Sequence, residues 1–496
     1  MTPQAVLSPA LIWTAIAVFA VFGAALAWRA GRMNTGTAQD YYLGGRRIGG
    51  VVSGLSYAAT TYSAFMLVVL TGLTYRGGIG ALGFELVYFA GLSLLVVFGP
   101  RFWLAARQHN FISPAEMVGA RYGSPTVGRV MALISLIFLL PYCTPQMAGL
   151  GLLLSGVTGG GISLFQAVAT GAVLALVWTL FAGLRSVAWT DAVQAVIMVI
   201  SGLLAIGFAI AAIGGWGACL DGTRSTHGAW LSVPGPGLWS FSTFFALSFP
   251  WFFFAISNPQ VSQRLFILRD LTAMRSMILW VLGFGFIFTL VAVIWGFAAL
   301  QLRPGLENAS LATPALLTSG AIPVPVALLL VLGILAAAVS TLDSIALTVG
   351  AMVARDLVPA GTGSSDRRQI FAGRVVVVAV ILFAAAFALR KAAIVDQLAA
   401  LSAAGLLVTV PPIIGAFFWR RGTAAGALGC LILGAAVAVW MAMVQGTSVF
   451  NPILALTVAG VSTAAFVGIS LLTRPSPGAL DFRDEQSADL RAAGVW

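Results

Sequence analysis

The stretch VVSGLSYAATTYSAFMLVVLTGLTYRGG, residues 51–78, is long enough to cross a bilayer, yet its first half is crowded with hydroxyls. Ser53, Ser56, Thr60, Thr61 and Ser63 stand among the small residues Gly54, Ala58 and Ala59, and a plain apolar run follows. Two readings are open. The small and hydroxylated residues can form a face on which another helix packs closely. Alternatively the helix is interrupted, and an unwound turn frees carbonyl oxygens for a cation.

A second stretch, FSTFFALSFPWFFFAISNPQ (241–260), carries Pro250 and Pro259 inside an apolar run. Proline removes a helix hydrogen bond and clashes with the preceding turn, so this segment is also expected to be kinked or broken. Apolar runs between polar breaks give thirteen candidate spans: 8–28, 50–72, 80–104, 127–154, 162–183, 187–213, 240–263, 276–302, 324–354, 371–389, 394–419, 423–445 and 450–473. Runs of this length predict helices, because lipid leaves no partner for unpaired backbone groups. The two anomalous stretches then open two five-span blocks, 50–213 and 240–419. An odd number of spans per block makes the blocks inverted repeats, and broken helices at matching places in such repeats point to a site at the bilayer midplane.

Composition agrees. Of 496 residues 60% are hydrophobic and 8% charged, with mean hydropathy +1.00, against about 25% charged in a soluble domain. The expected fold class is an all-α polytopic membrane protein with about 13 transmembrane helices, one transport domain over 1–473 and a short tail over 474–496. The net charge of +11 reads as membrane topology rather than nucleic-acid binding. If the N-terminus is outside, only Arg76, Arg224, Arg303, Arg390 and Lys391 of the 26 cationic residues lie outside. The positive-inside rule therefore predicts an outer N-terminus and a cytoplasmic C-terminus in the cell inner membrane. The start, MTPQAVLSPA, has no basic region or cleavage site, so the first span is expected to remain. Cys143, Cys219 and Cys430 are too scattered for a metal centre, and His109 and His227 lack acidic or Cys neighbours.

Ionisable groups at membrane depth are costly and mark function. Glu85, Asp191 and Asp343 qualify. Asp343 lies in LAAAVSTLDSIALTVG (335–350), where Ser340, Thr341 and Ser344 add three hydroxyls within two turns. Oxygen ligands without Cys or His suit a hard cation. The alternative is that the hydroxyls bond back to their own helix and the acid pairs with an arginine of a neighbouring helix. No lysine or arginine is expected within the membrane itself, so an anionic solute would rely on helix N-termini and hydroxyls.

Five segments in order resemble the sodium:solute symporter family: DYYLGGRRIGG (40–50), GLRSVAWTDAVQAVIM (183–198), NPQVSQRLFILRD (258–270), LAAAVSTLDSIALTVGAMVARDL (335–357) and FWRRGTAAGALGCLILG (418–434). The resemblance implies a leucine-transporter-like core of two inverted five-helix repeats, with Na+ as coupling ion. By position it implies a sodium site from the carbonyls of Ala59, Tyr62 and Ala337 and the hydroxyls of Ser340 and Thr341. A second sodium would use Asp191, Asp343 and Ser344. For the solute it implies Glu85, Trp251, Phe254, Tyr142 and Gln146, with Thr61 and Ser63 at the break. Phe65 and Met66 stand where the galactose branch has polar contacts, which argues against a sugar.

The expected function is sodium-coupled symport of a small organic solute, an organic acid, amino acid or vitamin-like compound. A proton-coupled permease on the same fold and a transporter-like sensor are the alternatives. No HExxH, nucleophile elbow or Asp-rich motif points to an enzyme.

Overall fold

A computed structural model describes residues 6–235, 237–358, 365–391, 395–482 and 489–492. Arg483 and the side chain of Lys391, both used in the charge count, lie outside what is described. Among the described residues, eleven helices are long and apolar enough to cross a membrane, and one further crossing is a pair bent by 48°. In order they are α1 (Pro9–Gly31), the bent pair α2 (Gly50–Thr61) and α3 (Met66–Gly77), α4 (Gly80–His109), α5 (Pro125–Val157), α6 (Leu164–Phe181) and α7 (Leu184–Ile213). After the short apolar helix α8 (Phe241–Phe252) come α9 (Leu271–Leu302), α10 (Val324–Leu357), α11 (Asp366–Arg390), α12 (Ala400–Phe418), α13 (Ala424–Val444) and α14 (Pro452–Leu472). The chain is all-α: the described residues hold no named strand, only an isolated bridge between Ile48 and Leu268.

Both anomalous stretches are broken. In the first, Tyr62 leaves helical geometry at φ −94°, ψ 76° while its N–H still reaches the Ala58 carbonyl at 2.8 Å. Ser63 then restarts the chain by accepting from the Phe65 N–H at 3.2 Å. In the second, α8 stops at Phe253 and gives way to the short helices Phe254–Ser257 and Pro259–Ser262, with a 3-10 turn over Gln263–Phe266. Asn258 between them is extended, at φ −97°, ψ 110°, the conformation that a following proline favours. The 240–263 run is therefore one short helix followed by short helical turns rather than a single spanning helix.

The first half-helix α2 packs against α7, α9 and α10. Gly54 permits this: a Cβ there would stand 2.7 Å from Trp280 and 2.9 Å from the Met277 carbonyl. Such close backbone approach is how small residues hold membrane helices together.

On the arginine-rich face, guanidinium groups close the loops by bonding to carbonyls. Arg46 donates to the Ala106 and Phe111 carbonyls, and Arg107 to those of Arg46 and Leu268 at 3.1 and 3.0 Å. Burial and the neighbouring Arg107 charge pull Arg46 down to about 10, so it remains a cation at neutral pH. The tail is tied to the same face: Leu480 N–H donates to the Ala120 carbonyl at 3.3 Å, and Phe482 is buried against His109, Phe111 and Phe417.

Asp40 joins two of these loops. It accepts from Arg185 at 2.7 Å and from the Thr35 hydroxyl at 3.1 Å, and Arg185 also holds the carbonyls of Gly44 and Met33. Asp40→Asn removes the charge at a buried bridge and is expected to cost about 1–3 kcal/mol. Thermal unfolding of the purified protein checks this; an unchanged midpoint would mean that Arg185's carbonyl bonds alone secure the loops.

Candidate functional site

The break in the first anomalous stretch meets the hydroxyl cluster of α10. Ser340 donates to the carbonyls of Ala59 at 3.0 Å and Ala337 at 3.1 Å. Thr341 donates to those of Thr60 at 3.3 Å and Ala337 at 3.0 Å. All five residues are buried. Thus Ala59, Ala337, Ser340 and Thr341 are brought together as expected, and the Thr60 carbonyl, which sequence reasoning missed, joins them. Tyr62 lies three residues beyond Ala59 at the bend, its ring against Tyr88, Phe284 and Phe288. Five oxygens on two helices, one helix ending at that point, make a set that a hard monovalent cation can use by turning the hydroxyl hydrogens aside.

One turn along α10 the chemistry changes. Asp191 of α7, Asp343 and Ser344 do lie in one buried cluster, but Arg264 lies there too, 1% exposed. Its Nη2 is 2.9 Å from Asp191 Oδ2 and also donates to Ser344, while Nε donates to Ser56 at 3.0 Å and Nη1 to the Gln260 carbonyl at 2.8 Å. Ser56 donates to Asp191 Oδ2 at 2.7 Å. Ser344 lies 2.9 Å from Thr60 Oγ1 and 3.5 Å from Asp343 Oδ1.

The expectation that no arginine enters the membrane interior is therefore corrected. Arg264 sits on the turn after the broken α8, which folds back into the core and carries the guanidinium with it. Both readings of 335–350 hold in part: Ser340 and Thr341 bond to their own helix, and an arginine is present, paired with Asp191 rather than Asp343. Of the residues expected for a second sodium, Asp191 and Ser344 are engaged by a fixed cation, while Asp343 meets the Ser344 hydroxyl, and Asp191 Oδ1 and Asp343 Oδ2 have no hydrogen-bond partner.

On the other side of the break lies an aromatic cluster. Trp251 stacks on Phe254 at 5.3 Å, with Tyr88 edge-on to both at 5.3 and 5.4 Å. Phe65 lies 5.4 Å and Tyr142 6.2 Å from Trp251. Gln146 donates to Ser63 at 3.2 Å, and Tyr88 reaches the Thr61 carbonyl at 3.4 Å. Buried Glu85 lies three residues before Tyr88 on α4, on the same helix face. All seven residues expected around the solute thus fall in one region, with Tyr88 as an unforeseen member. The gap bounded by Phe65, Phe84, Leu247 and Trp251 is only about 10 Å³, so the rings are closed on one another in this structure.

A family model for the sodium:solute symporter family matches residues 41–434. The high-affinity proline transporter of Bacillus subtilis (strain 168) is 26% identical over 82% of this chain and 87% of its own length. The sodium/proline symporter of Escherichia coli (strain K12) is 27% identical over 88% of both chains. An uncharacterised symporter of Bacillus subtilis (strain 168) is 28% identical, but there the match spans only 50% of this chain and 53% of the relative. Among solved structures, a Na+-coupled sialic acid symporter in a substrate-bound outward-open state superposes with a TM-score of 0.76 at 18% identity, covering 95% of this chain and 98% of its own. Mhp1, a nucleobase-cation-symport-1 family transporter, superposes at 0.54 and 17% identity, covering 91% and 99%.

Proposed function

Because this chain belongs to the sodium:solute symporter family, we propose that it carries a small organic solute, an organic acid, amino acid or vitamin-like compound, into the cell with sodium by alternating access. The observation that carries the reading is the meeting of Ser340 and Thr341 with the Ala59 and Thr60 carbonyls where α2 ends. A sodium ion shared by these oxygens ties α10 to the break. It favours the arrangement in which the break is closed on the solute, and rocking of one repeat against the other separates the two helices and releases both ligands. In this reading the transport unit is 1–473, with repeats over 50–213 and 240–419, and the chain is a carrier rather than an enzyme. The N-terminus is outside and the arginine-rich face with the tail 474–496 is cytoplasmic, as the charge asymmetry supports.

We assign one sodium to each cycle. Arg264 already supplies a positive charge to Asp191 and Ser344, so a second sodium there faces repulsion from a guanidinium that cannot leave. For a solute of zero net charge, an inside-negative potential then adds about 2.3 kcal/mol per 100 mV through the charge of the sodium.

The experiment is uptake into proteoliposomes of radiolabelled amino acids, carboxylates and sugars, with and without an inward sodium gradient. Uptake of at least one compound is expected to require sodium. Uptake indifferent to sodium and collapsed by a protonophore would replace this reading with proton coupling.

A further inference from the structure

The aromatic cluster holds a carboxyl group that no basic side chain among the described residues answers. Glu85 is 1% exposed, its Oε2 has no hydrogen-bond partner, and among the described residues no arginine, lysine or histidine pairs with it. The contrast with Asp191 is sharp, since that carboxylate receives both Arg264 and Ser56. A buried carboxylate left alone is strongly unfavourable, and buried charges are ordinarily paired. Here the missing partner has a shaped place: Glu85 shares a helix face with Tyr88, whose ring lies edge-on to the stacked Trp251 and Phe254. Aromatic faces attract organic cations through the ring quadrupole. The remaining free polar atoms are acceptors or hydroxyls: Gln146 Oε1 and Thr61 Oγ1 are buried without partners, and the Gln146 amide N–H donates to Ser63.

We propose that the solute carries a protonated amine, that this ammonium pairs with Glu85 among the rings of Tyr88, Trp251 and Tyr142, and that Glu85 excludes simple organic anions. A carboxylate without an ammonium would place a second negative charge beside Glu85 with no basic side chain to receive it. A neutral alcohol would leave the carboxylate unpaired. An amino acid satisfies the site through its ammonium while its net charge stays zero. The inference rests on the transport reading and narrows its solute class.

The test uses four probes of similar size on the purified full-length protein: cyclopentylamine, L-proline, cyclopentanecarboxylate and cyclopentanol. Thermal stabilisation is measured in sodium chloride and in potassium chloride. The two amines are expected to stabilise the protein, and the acid and the alcohol to do so at least about tenfold more weakly in half-saturating concentration. Glu85→Gln is expected to erase the preference for the amines, and Glu85→Asp to retain it. Stabilisation by the acid or alcohol equal to that by the amines overturns the proposal, as does a response to neither amine. If Glu85→Gln does not fold, the four-probe series on the wild type and Glu85→Asp decides alone. Stabilisation by sodium without any probe tests the transport reading separately: its absence, with amine preference intact, sinks sodium coupling and leaves the amine assignment standing.

Discussion

Replacing Arg264 by glutamine is expected to leave little folded protein in the membrane. The guanidinium is 1% exposed and ties four pieces of chain together: Ser56 on α2, Asp191 on α7, Ser344 on α10 and the carbonyl of Gln260 on the turn after α8. Its removal leaves Asp191 and Asp343 buried near each other without a cation. Breaking a buried ion pair by deleting one partner costs about 3–5 kcal/mol, because the survivor keeps its desolvation cost. Asp191→Asn should be milder, since Arg264 then still faces Asp343 and the cluster is neutral. Adding Asp191→Asn to Arg264→Gln should recover part of the loss, because two uncharged amides replace a charged pair. Size-exclusion profiles of detergent-extracted protein rank the variants. A monodisperse Arg264→Gln variant with wild-type thermal stability would show that the cluster is not a structural ion pair, and would reopen the second sodium.

The second large effect is on sodium itself. With Ser340→Ala and Thr341→Ala combined, the sodium concentration for half-maximal uptake should rise by roughly a hundredfold. In the proposed site each hydroxyl contributes one oxygen to a buried cation, and interactions of that kind with a charged group are worth about 1.5–3 kcal/mol, or about tenfold or more apiece. Because the two residues are adjacent and share the Ala337 carbonyl, the effects should not add fully. Protein yield should stay close to wild type, since both side chains are small and their loss leaves little empty space. Each single variant should shift the sodium dependence on its own. Unchanged dependence in the double variant would dismiss this site.

Much of the architecture is legible in apolar run lengths, because a helix that must bury every backbone group in lipid has little freedom in length or composition. The break in 51–78 is also legible, as hydroxyls where a packed helix would carry Leu and Val. Arg264 is not, since a charged residue near the end of an apolar run reads by default as a loop residue. The clue lay elsewhere: Asp191 and Asp343 on two apolar helices required a cation, and Pro259 five residues before Arg264 marks a turn able to deliver one. The Thr60 carbonyl could not be found, because every residue has a carbonyl and only the fold decides which are left free. The proposed sodium ligands came from resemblance rather than from spacing, while Glu85 could be picked out from its depth alone.

During synthesis, the bent pair is the part of the chain least able to enter the bilayer by itself. Each half, α2 and α3, has 12 residues, about 18 Å of helix, against a hydrocarbon thickness of about 30 Å. The loose end at Tyr62 exposes carbonyls that lipid cannot satisfy. Their partners, Ser340 and Thr341, emerge from the ribosome some 280 residues later. Met277 and Trp280, against which Gly54 lies, are also more than 200 residues away. The pair must therefore wait at the translocon or in its shelter until most of the chain has been made. Truncated chains ending before α9 should fail to hold this segment in the membrane, although α4 and α5 insert on their own apolar length.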